Sequence, residues 1–111
     1  MELEVDAIGG VLAITARGPL VHDAFAALEE CLAKAATAGR PVVLDLLDVE
    51  TIDADGVRLL EAAHADLGPR LRLVVRRRGT VHRELKELGL AQVFTIHWSA
   101  VSALAAAGQP P

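Results

Sequence analysis

A chain of 111 residues, 52% of them hydrophobic, supports one core and one domain; with only Phe25, Phe94 and Trp98 aromatic, that core has to be aliphatic. A formal net charge of −4 argues against nucleic acid or an anionic membrane surface as the main partner. The single cysteine, Cys31, excludes an intrachain disulfide and a cysteine-based metal cluster, and fits a reducing, intracellular setting.

Glu2-Leu3-Glu4-Val5-Asp6-Ala7 alternates polar and apolar residues, Gly9-Gly10 offers a turn that accepts positive φ, and Val11–Arg17 puts Leu12, Ile14 and Ala16 on one face. An opening β-hairpin is expected there, ended by Gly18-Pro19. From about Asp23, the spacing of Phe25, Leu28, Leu32 and Ala35 marks an amphipathic helix that contains Cys31 and stops at Gly39, before Pro41. Val42-Val43-Leu44 with Leu46-Leu47 then reads as a strand buried on both faces, running from about Val42 to Leu46.

Asp48–Glu50 leads from this strand into Ile52-Asp53-Ala54-Asp55-Gly56, which has the marks of a helix start. Asp53 is a good N-cap type, and Asp55 adds a carboxylate in the first turn, near the positive end of the helix dipole. Leu59, Leu60, Ala63 and Leu67 follow at helical spacing, so this helix runs from about Ala54 to Asp66 and is closed by Gly68-Pro69. Leu71, Leu73 and Val75 alternate with Arg72 and Arg76 in a fourth strand that enters the basic loop Arg76-Arg77-Arg78-Gly79. Thr80 is expected to cap a third helix from about Val81 to Leu88, and Val93–Ile96 is expected to form a short last strand. Ser99 is expected to cap a final helix carrying Val101, Leu104 and Ala105, with Gly108-Gln109-Pro110-Pro111 as a loose tail.

The order ββαβαβαβα implies an α/β fold over residues 1–111: a mixed, mostly parallel sheet beyond the hairpin, with about four helices packed on it. No apolar run approaches ~20 residues, and the opening MELEVD lacks the basic and apolar regions of a signal peptide. A soluble, cytoplasmic domain without direct membrane insertion is the expectation. If the third and fourth strands run parallel, the loops Leu47–Asp55 and Arg76–Gly79 open on one edge of the sheet, where sites in such folds are built. The acidic helix start would then face or flank the three arginines, with Gly18–Asp23 near by.

Gly18-Pro19-Leu20, VVLDLLDVETIDADGVRLL, LRLVV, ELKELGLAQVF and the final alanine-rich helix together resemble the STAS domain family, whose best-known members are the bacterial anti-sigma factor antagonists. The likeness covers nearly the whole chain. It implies a STAS fold and a partner-switching role, in which the unphosphorylated domain binds an anti-sigma factor, often a serine kinase, and so releases the sigma factor. Phosphorylation of one serine, in an Asp-Ser-Ser-Gly or Asp-Ser-Ala-Gly stretch at the start of the second helix, ends that binding. The matching residues here are Asp53-Ala54-Asp55-Gly56, and Asp55 stands at the usual phosphoserine position, so the chain cannot be switched there. Val21 likewise replaces the aspartate of the family's common Gly-Glu-Leu-Asp. The resemblance makes Asp53, Ala54, Asp55, Gly56, Arg76, Arg77 and Arg78 the candidate partner-binding residues, with no catalytic group, metal or cofactor. Within the family, a subunit of a lipid-transport ABC complex or of a stress-signalling assembly is the alternative role.

Phosphoserine carries about −1.5 to −2 charge and three acceptor oxygens, so Asp55 is an incomplete mimic. It either holds the domain in a non-binding state or pairs with a basic partner surface. Asp53 reads as an N-cap, a partner contact, or both, and Asp45, inside a buried strand, reads as a structural hydrogen-bonding group. The arginines are expected either as a solvated loop, as an ion-pair network with Asp53 and Asp55, or as a phosphate-reading patch, the network being preferred to the patch. His22, His64, His82 and His97 lack metal-ligand spacing and read as surface histidines, while Trp98 reads as a packing residue or, if exposed, as part of an interaction patch. Thr51 is the hydroxyl nearest the switch position. Mg²⁺-dependent phosphoryl chemistry at Asp53 and Asp55 is the reading of another class, and it lacks a phosphate loop and a nucleophile–base pair.

Overall fold

The structure, a computed structural model, describes residues 1–108. Strand β1 (Glu2–Ile8) pairs antiparallel with β2 (Val11–Arg17), with Ile8 opposite Val11. Gly9 and Gly10 turn the chain between them at φ of 55° and 87°, angles that cost glycine little. From β2 onward the sheet is parallel: β3 (Val42–Asp48), β4 (Leu71–Val74) and β5 (Thr95–His97) follow, and spatial order equals chain order. Each parallel step needs a crossover, supplied by helices α1 (Ala26–Ala38), α2 (Ala54–Leu67) and α3 (Thr80–Glu87). A fourth helix, α4 (Ala100–Ala107), closes the described chain.

The helices divide between the two faces of the sheet. Ile14, Val42, Leu44, Leu46, Leu71 and Leu73 pack with Leu28 and Leu32 of α1, Leu60 and Leu67 of α2, and Val81 and Leu85 of α3. Val11, Val43, Val74 and Leu47 point the other way, to Ala103, Leu104 and Ala107 of α4. This two-sided burial is why β3 is apolar without alternation.

Several boundaries differ from the sequence expectation. Helix α1 begins at Ala26 rather than Asp23, because Asp23 sits at φ 66°, outside the right-handed helical region. Thr80 is the first residue of α3 and Gly79 its cap, with no side-chain capping bond. The last strand is shifted to Thr95–His97, leaving Val93 47% exposed and sending Phe94 into the core. Ser99 does cap α4, accepting from Ser102 N at 3.2 Å, yet Val101 is 79% exposed and Ala105 is exposed, because the helix lays Ala103, Leu104 and Ala107 on the sheet instead. Of the expected tail, 109–111 lie outside the described residues.

Candidate functional site

Beyond the end of β3, Val49 turns into the core and the chain makes one more parallel bridge, Leu20 with Ile52. Leu20 N donates to Thr51 O at 2.8 Å and Asp53 N donates to Leu20 O at 3.3 Å. The loop after β2 is thereby laced to the start of α2, and Gly18–Asp23 lies beside the acidic motif as expected. Asp53, extended at φ −110° and ψ −177°, caps α2: its Oδ1 accepts from Gly56 N at 2.8 Å and its Oδ2 from His22 N at 2.9 Å. Those backbone donors, His22 N–H first and Gly56 N–H next, hold the Asp53 carboxyl below its usual pKa. Gly56 is demanded by contact rather than by φ, since a Cβ there would overlap the Leu20 carbonyl oxygen.

Asp55 occupies the first turn of α2 with about a third of its side chain exposed. Its Oδ1 meets the guanidinium of Arg58 and its Oδ2 lies 2.9 Å from His22 Nδ1. The other ring nitrogen of His22 is 3.2 Å from Asp23 Oδ1, an arrangement that only the doubly protonated ring satisfies in full. These side chains rim a cleft of about 420 Å³ between α1 and α2, with Phe25 and Leu59 in its walls. His22 and Arg58 were not among the candidate residues. Arg58 was legible as an i,i+3 partner of Asp55, whereas His22 reaches Asp55 only through the tertiary fold.

The arginine loop makes a different network from the expected one. Arg76 donates through Nε and Nη2 to Leu47 O at 3.3 and 3.0 Å, and its Nη2 is 3.6 Å from Asp48 Oδ1. Asp48 also pairs with Arg17 at 3.5 Å, and Arg17 with Glu4 at 3.1 Å. Among the described residues, none of Arg76, Arg77 and Arg78 lies within ion-pair distance of Asp53 or Asp55. The reason is geometric: β3–β4 pairing brings Arg76 to the end of β3, while the Leu20–Ile52 bridge draws the α2 start toward the β2–α1 loop on the other side. Arg77 instead lies over the Trp98 ring, 4.7 Å from its centroid, with His82 edge-on to the same ring at 4.9 Å. Asp45 has the structural role expected of it, accepting from Leu47 N at 2.9 Å. No cluster of three His, Cys, Asp or Glu side chains with metal-holding geometry occurs among the described residues, and none of their helices is long and apolar enough to cross a membrane.

The family model of the STAS domain matches residues 2–103. No curated protein matches the chain. Among solved structures, an anti-sigma factor antagonist from Mycobacterium paratuberculosis is 26% identical and superposes with a TM-score of 0.83 over 97% of this chain and 94% of that one. An anti-sigma-factor antagonist (STAS) domain protein from Planctomyces limnophilus is similar at 16% identity, TM-score 0.74, over 96% and 98% of the two chains. The Bacillus cell fate determinant SpoIIAA in its phosphorylated form is similar at 15% identity, TM-score 0.68, over 95% and 98%. The last two, at such identities, speak for the fold alone. With the hairpin, the three crossovers and the capped acidic start of α2 all inside the matched span, the chain belongs to the STAS domain family.

Proposed function

We propose that this chain is a non-enzymatic interaction module of the anti-sigma factor antagonist type. It binds an anti-sigma factor of the serine-kinase kind through Asp53, Ala54, Asp55 and Gly56, with the β4–α3 loop, Arg76–Arg78, contributing at the neighbouring strand end. Similarity to the mycobacterial antagonist along nearly the whole of both chains supports the class of partner.

The observation that carries the finer reading is the state of Asp55. No hydroxyl stands at this position, and both carboxylate oxygens are taken by the chain's own groups, Arg58 and His22. A phosphoserine would bring about −1.5 to −2 charge and three acceptor oxygens. One carboxylate already paired with a guanidinium brings far less net charge to the surface. Asp55 therefore leaves the α2 start in a binding-competent state that a kinase cannot end by phosphorylating this position.

The test is an affinity pull-down from native lysate with tagged wild type and an Asp55→Ser variant in parallel. Retention of a kinase-type anti-sigma factor by both is expected. Retention by Asp55→Ser alone would mean that Asp55 acts as a fixed off-signal. Recovery of transporter or stress-particle subunits would replace the sigma-factor reading with the assembly role.

A further inference from the structure

The β4–α3 loop carries three arginines, but they are not alike. Arg76 is committed to Leu47 O and Asp48. Arg77 and Arg78 have no carboxylate within ion-pair distance among the described residues, and both are exposed. Arg78 sits at φ 62°, where a non-glycine residue is uncommon, and its backbone N donates to His82 Nδ1 at 3.3 Å. That bond leaves the imidazole with its Nε2–H free to donate. Trp98, 39% exposed, is held by the Arg77 guanidinium on one side and His82 on another, so an apolar ring is fixed at the surface against one unpaired cation, with the second, Arg78, the next residue in the loop.

We propose that Arg77, Arg78 and Trp98 form a second docking point, which takes an acidic segment of a protein partner carrying an apolar side chain next to paired carboxylates. This rests on the reading above, which already gives Arg77 and Arg78 to the partner surface, and adds Trp98 and the chemistry of the segment they take. Charge complementarity selects the acidic segment: two guanidinia match two carboxylates, and guanidinium forks bind carboxylates with charge-assisted hydrogen bonds. The indole selects the apolar neighbour, and Trp with Arg is the residue pairing that concentrates binding energy at protein interfaces. An extended polyanion is disfavoured because the chain as a whole carries −4, which repels it outside this small patch. The strained backbone at Arg78 fits a loop held in shape for a ligand.

Trp98 is the only tryptophan and there is no tyrosine, so intrinsic fluorescence reports on this site alone. The full chain is titrated with a synthetic peptide, acetyl-Gly-Leu-Glu-Glu-Leu-Gly-amide, and with its Gln-for-Glu counterpart. Parallel titrations use inorganic phosphate, phosphatidylglycerol vesicles and a short single-stranded oligonucleotide. A saturable change in Trp98 emission is expected with the Glu peptide, weakened by salt, and about tenfold weaker binding is expected for Arg77→Gln or Arg78→Gln. Both substitutions remove the charge while keeping the stem as far as Cδ and a polar head, and circular dichroism confirms that each variant is folded. Because Arg77→Gln also alters the ring's surroundings, peptide binding by that variant is followed through backbone amide shifts in NMR.

The proposal is overturned if the Glu peptide gives no saturable response or binds no better than the Gln peptide. It is equally overturned if phosphate, vesicles or the oligonucleotide bind more tightly than the Glu peptide. Concentration-dependent self-association that Arg77→Gln removes would assign the patch to a second copy of the chain and overturn it too. The Asp55→Ser variant is expected to bind the peptide as wild type does, so this site can fail while the pull-down at the α2 start succeeds, and the reverse.

Discussion

Gly56 in the first turn of α2 meets Leu20 of the β2–α1 loop backbone to backbone: a Cβ on Gly56 would overlap the Leu20 carbonyl oxygen and lie 3.1 Å from its carbonyl carbon and 3.0 Å from Ile52 Cγ1. Elsewhere in a helix, Gly→Ala gains roughly 0.5–1 kcal/mol from backbone entropy. Here the obstacle is a main-chain carbonyl that cannot rotate away, and overpacking of this sort costs about 1–3 kcal/mol. Gly56→Ala is therefore expected to be net destabilising in urea denaturation. An unchanged or raised midpoint would show that the two loops are not clamped as described.

Asp53 joins the same two loops by accepting from Gly56 N and His22 N. Asp53→Ala removes both acceptors and is expected to lower the thermal midpoint by roughly 4–8 °C, a typical cap loss for a domain of this size. Because its pKa is depressed in the folded state, the carboxylate's contribution is fully present above its ordinary value, 3.8, and is lost as pH falls through the lower folded value. The difference in stability between wild type and Asp53→Asn should therefore be constant at neutral pH and shrink only in the acid range. A difference that stays constant throughout acid titration would remove the carboxylate's part in the clamp.

What was legible in the sequence was local. Gly9-Gly10, the two-faced apolar run of β3, and the caps Asp53 and Ser99 each declare themselves within a few residues, and the structure has all of them. What was not legible depends on which distant segments the sheet brings together. His22 reaches Asp53 across 31 positions and Arg76 reaches Leu47 across 29, so no spacing rule could assign the first to the acidic motif or withdraw the second from it. The exposed Val101 has the same origin: α4 is mostly alanine, so composition did not say which of its sides would meet Val43 and Val74.

His97 ties β5 to two neighbours. Arg72 Nη1, which can only donate, lies 3.1 Å from Nε2, so Nε2 accepts and Nδ1–H donates to Ser102 Oγ at 3.0 Å. Burial, and then the charge of Arg72, lower the His97 pKa from 6.5. With a depressed folded value, the unfolded chain takes up the proton first, so stability falls as pH drops through 6.5 and levels off below the folded pKa. Urea midpoints measured at about pH 7.5 and about pH 5 should differ less for His97→Gln than for wild type. An equal difference in both would show that His97 does not set this slope.

The last prediction concerns what makes a carboxylate tolerable at position 55. Arg58 pairs with Asp55 Oδ1 and His22 with Oδ2, so the charge that the α2 start presents depends on residues one turn away and one loop away. Exposed pairs of this kind contribute little to folding, so Arg58→Ala should leave the thermal midpoint within about 2 °C of wild type. Its effect belongs to binding. Without Arg58, Asp55 keeps only His22 as a partner and the α2 start carries more negative charge, so on the proposed function Arg58→Ala should retain less of the proposed anti-sigma factor than wild type does. The double variant Arg58→Ala with Asp55→Ser removes both charges and should recover it. Retention by Arg58→Ala at the wild-type level would mean that charge at this turn does not govern the interface. Loss in both variants would instead identify Arg58 as a direct partner contact, and the pull-down of the double variant separates those two mechanisms.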